Sequence, residues 1–180
     1  INETYARELM ELHTLGVGGG YTQKDVTELA RCFTGWTIDI RTPGGGFLFV
    51  PALHDRKDKV VLGHTFRFGG MKDGLDALHL LAKHPATARF ISTKLAQRFV
   101  ADTPPDSLLD AMSETFSRTN GDIREVLRTM FRSQAFWSEG AYRSKVKQPF
   151  EMVISAVRAL GADVRQPLVL ARSIDRLGQP

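Results

Sequence analysis

Apolar residues recur at helical spacing along this chain except between Ile38 and Gly70, and that single break in period restricts the available folds. Within the break, TPGGG (42–46) has turn composition. FLFV (47–50), KVVLG (59–63) and TFRFG (65–69) are short β-branched or aromatic runs, which predicts two or three short strands with His54-Asp55 in the loop between them.

Outside the break, each long segment has one apolar face. Tyr5, Leu9 and Leu12 predict a first helix over roughly 3–15, with Asn2 as N-cap and Gly16 as stop. Thr22 precedes Asp25 by three residues, a capping-box pattern ahead of Val26, Leu29, Ala30 and Phe33, and this second helix ends at Gly35. The glycines of GVGGGY (16–21) supply the reversal between the two. Asp73 is read as the cap of a helix carrying Leu75, Leu78 and Leu81, and Pro85 opens the next, with His84 at the joint because a residue before proline leaves the α region. TPPD (103–106), Asp122, Pro149 and Pro167 begin four more. The expected fold is therefore mainly α, a single domain over 1–180 with about seven to nine helices and a two- or three-stranded β insertion near 38–70.

Composition narrows the class further. With 42% hydrophobic and 24% charged residues in 180, the chain is neither disordered nor low-complexity, and it is long enough to bury a full core. Its 24 Lys and Arg against 20 Asp and Glu leave +4, a bias too mild to imply a nucleic-acid partner without a patch. The lone Cys32 excludes an intramolecular disulfide or a cysteine-based zinc cage, and reads as a small hydrophobe on the second helix. No run approaches the roughly 18 apolar residues of a membrane span, and FLFVPAL (47–53) is interrupted by Pro51. The opening INETYARE lacks an initiator Met and a signal-peptide pattern, so a processed piece of a longer protein is expected.

The candidate chemistry is sparse. At 100° per residue, His13 falls within the first helix's apolar stripe and should be substantially buried, with Glu8 on the stripe's edge and Glu11 pointing away. His54 and Asp55 offer imidazole and carboxylate ligands of the kind zinc or manganese uses, and are the candidate divalent-metal residues. Acid/base or metal-assisted hydrolysis would need Glu8, His13, His54, Asp55 and His84 to converge in one pocket, with Glu8 meeting the His54-Asp55 loop and His13 behind them. There is no HExxH, no Gly-x-Ser-x-Gly elbow and no phosphate-binding loop, and the pairs His54/His64 and His79/His84 lack i, i+4 spacing. Arg124, Arg128 and Arg132 form a basic stripe that either binds an anion or nucleic-acid backbone weakly, or pairs with Asp110 or Glu114 on the preceding helix.

Residues 2–38 (NETYARELMELHTLGVGGGYTQKDVTELARCFTGWTI) closely resemble the opening of the C-terminal half of the bacterial family called domain of unknown function 1800. The resemblance continues through HD (54–55), KVVLG, LLAKHPATARFISTKLAQRFVADTPP (80–105), TNGDIREVLRTMFRS (119–133) and KVKQPFEMVISAVRALG (145–161). Gly18 stands where an acidic residue or Asn is expected, and Arg56 where many members have Gly. The resemblance implies a helical, often exported, periplasmic or extracellular protein in which a longer helical N-terminal half precedes this stretch. It also implies a frequent neighbour, the sulfatase-like family of unknown function 1501, as a partner. It brings no catalytic residues. A helical interaction or scaffold module is thus the first expectation, a hydrolase the second and weak anion or nucleic-acid binding the third.

Overall fold

The computed structural model describes residues 1–179. The first helix, α1 (Glu3–Glu8), is capped by Asn2, whose Oδ1 accepts the Tyr5 N–H at 3.0 Å, and it runs on as a π-helical turn over Leu9–Thr14. After the glycine reversal come α2 (Gln23–Cys32), β1 (Trp36–Ile38), β2 (Phe47–Phe49), a 3-10 turn (Pro51–Leu53), β3 (Lys59–Val61) and β4 (His64–Phe66). Six helices follow: α3 (Met71–Ala82), α4 (Pro85–Phe99), α5 (Asp106–Arg118), α6 (Ile123–Arg132), α7 (Pro149–Ala159) and α8 (Pro167–Arg176). The mainly α architecture with an inserted β segment is as expected. The insertion has four short strands where two or three were expected, arranged as two separate antiparallel hairpins that pair Trp36 with Phe49 and Lys59 with Phe66.

The π turn changes which residues of the first helix face inward. Ala6, Met10 and Thr14 are buried, whereas Leu12 and His13 are exposed. The expected burial of His13 assumed 100° per residue. A π turn adds a residue to the turn and shifts the following register, carrying His13 out and Thr14 in. The Thr14 hydroxyl donates to the Leu9 carbonyl at 2.7 Å, five residues back, and the Gly16 N–H reaches the Met10 carbonyl. Gly16 then turns the chain at φ +82°, and a Cβ there would lie 2.7 Å from the Phe90 ring.

Other signals hold. Thr22 and Asp25 form the capping box of α2, Asp122 Oδ1 accepts from Arg124 and Glu125 N–H, and Pro149 opens α7 behind a Gln148–Glu151 box. Asp73 is not the cap of α3: Gly70 holds that position, and Asp73 lies in the first turn with its carboxylate reaching back to the Gly69 N–H at 3.0 Å.

The buried side chains fall into two clusters. One joins α1, α2, α3 and the second hairpin around Met10, Val26, Leu29, Val61, Phe66 and Leu81. The other joins α4, α5 and α6 around Ala96, Leu109, Met112, Val126 and Met130, with Arg89 of α4 paired to Asp106 and Asp110 of α5. The α7–α8 hairpin buries no residue; α7 meets α4 through a Glu151–Arg98 ion pair.

Gly74 sits inside α3 against Trp36, which lies edge-on between Phe33 and Phe47. A Cβ at Gly74 would approach the indole to 2.5 Å. Glycine to alanine ordinarily strengthens a helix by about 1 kcal/mol. At this position the overlap reverses the sign, and Gly74→Ala should lower unfolding free energy by about 1–3 kcal/mol, measured by urea denaturation monitored at 222 nm.

Candidate functional site

The most strongly polar point of the interior is built from three segments. His54 ends the 3-10 turn, Lys59 begins β3, and Asp73 comes from the first turn of α3, where the helix dipole favours a carboxylate. All three are sealed, at 5%, 0% and 2% exposure, and Lys59 is the largest fully buried side chain of the protein. The Lys59 ammonium donates to Asp73 Oδ2 at 2.8 Å and to the Asp55 carbonyl at 2.5 Å, and lies 3.3 Å from His54 Nε2.

Hydrogen-bond accounting assigns the proton on His54. The Thr34 hydroxyl spends its single hydrogen on the Arg31 carbonyl at 2.7 Å and accepts from the Asp55 N–H at 2.8 Å. His54 Nδ1 must therefore carry a hydrogen to donate to the Thr34 carbonyl, 2.8 Å away. With Nε2 bare, the ammonium satisfies all three of its donors: carboxylate, carbonyl and imidazole. An imidazolium facing Asp73 Oδ2 at 3.1 Å would instead leave two cations sealed against one carboxylate, a net buried charge that costs several kcal/mol.

A second, more open ring of charge lies beside this cluster. Arg31 of α2 grips Asp55 through Nε and Nη2 at 2.8 and 3.2 Å, and Glu28 through Nη1 at 2.8 Å. Glu28 in turn accepts the Val60 N–H at 2.9 Å and Asp25 accepts the Leu62 N–H at 2.7 Å, so two carboxylates one helical turn apart serve one amide of β3 and one of the turn that follows it. The Arg31 guanidinium holds the Asp55 carboxyl well below the ordinary range, helped by the Lys57 N–H. Burial would raise Glu28, but the Val60 N–H and Arg31 outweigh it and the carboxyl is lowered. Burial likewise opposes, and the Thr22 hydroxyl and Leu62 N–H overcome it, at Asp25. Arg31 is raised, first by Asp55 and against burial, with Glu28 adding to it.

Of the residues singled out from sequence, the structure brings His54 and Asp55 into this network and leaves three outside. Glu8 and His13 are exposed on the first helix, and His84 Nδ1 caps α4 by accepting the Ala86 N–H at 3.1 Å. His54 and Asp55 do not aim at a common point: Asp55 faces Arg31, while His54 Nε2 faces Asp73 Oδ2 at 3.1 Å with the Lys59 ammonium against both. Among the described residues, no three His, Cys, Asp or Glu side chains are grouped to hold a metal ion. Cys32 is fully buried beside the cluster and its thiol is pushed up to about 12 by that burial. The arginine stripe also differs from expectation, since Asp110 is taken by Arg89 and Arg128 pairs with Glu125 on its own helix.

Lys59 and Asp73 were the participants that motif reasoning missed. Strand alternation held a usable signal, because Lys59 shares a face with Val61, and Val61 belongs to the buried face. The arrangement pins a loop and a hairpin to two helices, and its sealed ammonium is closed to substrate.

A family model described as "Protein of unknown function (DUF1800)" matches residues 1–180, the whole chain. The chain belongs to the DUF1800 family. No curated protein and no solved structure matches it. In this DUF1800 chain, no transferred activity interprets the cluster, and its own chemistry carries the account.

Two outcomes test that chemistry. Lys59→Met strands the Asp73 carboxylate and should cost about 3–5 kcal/mol, while adding Asp73→Asn to it should recover more than half of the loss in equilibrium urea unfolding. The carboxyls of Asp55, Glu28 and Asp25 are lowered in the fold, so their contribution is complete above the ordinary carboxylate values near 4 and drains as pH falls below them. The urea midpoint should therefore drop from about pH 4 downward, and Arg31→Met should flatten that acid limb; parallel profiles in parent and variant would contradict it.

Proposed function

We propose that this domain is a helical interaction module whose exposed apolar surface is covered by another part of the same protein or by a partner chain. One observation carries the reading. The protein exposes 12165 Å², whereas a compact chain of 20.0 kDa exposes about 8,700 Å². Exposed large apolar side chains occur along the chain and include a group on its last two helices. Leu160 and Leu168 of the α7–α8 hairpin are 81% and 74% exposed, with Phe150, Met152 and Val169 more than half exposed. Exposed large apolar side chains in this number on one short helical hairpin mark an interaction site. Two helices of 11 and 10 residues that bury nothing are too short to persist on propensity alone, which favours a covering partner.

An N-terminal half of the same polypeptide is the occupant that the family resemblance suggests, with a sulfatase-like protein of the 1501 family as a further partner in an exported setting. A hydrolase draws no comparable support, because the polar cluster is sealed from solvent. No helix among the described residues is long and apolar enough to cross a membrane.

The 180-residue chain alone should self-associate in light scattering and bind an apolar dye. Leu160→Glu/Leu168→Glu should restore a dye-dark monomer with stability changed by less than about 1 kcal/mol, since neither side chain is buried. A parent chain that is already monomeric and dye-dark at 100 µM would contradict the reading.

A further inference from the structure

Three of the five histidines meet at a pocket that the Lys59 cluster does not use. His64 from β4, His79 from α3 and His84 at the α3–α4 joint line a cavity of about 370 Å³ together with Lys83 and Asp76. Its carbon surface comes from Leu80 and Pro85. Sequence spacing gave no reason to group these rings, since no two of them share a helical face; the hairpin folding back on α3 brings them together.

The bonding around the pocket decides what it can accept. His84 Nδ1 receives the Ala86 N–H at 3.1 Å, so the neutral ring carries its hydrogen on Nε2 and presents a donor. A metal would need that Nε2 lone pair, which the helix cap has converted to N–H. His64 is held edge-on by the buried Phe66 ring, 4.8 Å away. The single acid, Asp76, is engaged by Lys72 on the same face of α3. Among the described residues no carboxylate pairs with Lys83. The pocket therefore offers the His84 Nε2–H and the Lys83 ammonium as donors, two further imidazoles, an Asp76 carboxylate paired with Lys72, and carbon surface from Leu80 and Pro85.

We propose that this pocket binds a small monocarboxylate with a short apolar body, its carboxylate toward His79, His84 and Lys83 and its tail on Leu80 and Pro85. The inference is independent of the interaction reading, because it concerns a different face and does not require a partner chain.

Butyrate titrated into the full 180-residue chain, followed by histidine-ring NMR at pH 6, tests it. Saturable shifts are expected at His64, His79 and His84, with His13 and His54 unmoved. Acetate should bind severalfold more weakly than butyrate, because it lacks the tail that Leu80 and Pro85 would cover. His79→Gln and Lys83→Gln should each weaken butyrate about tenfold. His84→Asn keeps an N-cap acceptor for α4, so it should lose affinity without loss of fold. Shifts that never saturate, that appear equally at His13, or that survive in His79→Gln and His84→Asn would overturn the proposal. So would inorganic phosphate or acetate binding as tightly as butyrate.

Discussion

A lysine ammonium with no solvent exposure governs how the N-terminal part of this DUF1800 domain is assembled. Removing such a charge from water costs several kcal/mol unless all its donors are met, and here they are met by three groups from two segments, the His54-Asp55 stretch and the first turn of α3. Asp73 must come from the start of α3, the Asp55 carbonyl from the loop, and the His54 ring from the end of the 3-10 turn. Satisfying Lys59 therefore fixes the loop and second hairpin against α3. Arg31, Glu28 and Asp25 of α2 then complete the same job at the edge of the strand. Strands of three residues have little stability of their own, so these polar anchors, with Val61 and Phe66 in the apolar cluster, are what hold the hairpin in place.

The two ends of the chain are built differently. Residues 1–82 combine a closed apolar cluster with a closed polar one, while α4–α6 pack conventionally and α7–α8 bury nothing. Local stability should fall along that series, because it follows buried apolar contact and protected hydrogen bonding. A firm N-terminal block beside an uncovered helical hairpin is the arrangement expected of a module that receives part of its packing from elsewhere.

Much of the architecture could be read from residues, for identifiable reasons. Caps and breakers act over three or four residues, so Asn2, Thr22, Asp122, Pro85 and Pro149 marked their helices correctly. His13 was misplaced because a π turn changes the angular step, and nothing local in ELHTL announces one. Asp73 looked like an N-cap since short acids usually are, but its carboxylate is recruited from the first turn by Lys59. The candidate site was legible only in part: His54 and Asp55 were marked by residue type, whereas Lys59 was passed over because a lysine is assumed to be solvated. The pocket of His64, His79 and His84 depends on tertiary proximity alone and left no spacing to detect.

Native-state hydrogen exchange tests the central role of the buried ammonium most directly. If the Lys59 cluster and its carboxylate rim lock the second hairpin to α2 and α3, the amides of Val60 and Leu62, bonded to Glu28 and Asp25, and that of Gly69, bonded to Asp73, will exchange with the slow core amides of α2. Exchange of those three amides at loop rates while Val26 and Leu29 stay protected would show that the hairpin opens independently, and would contradict the account.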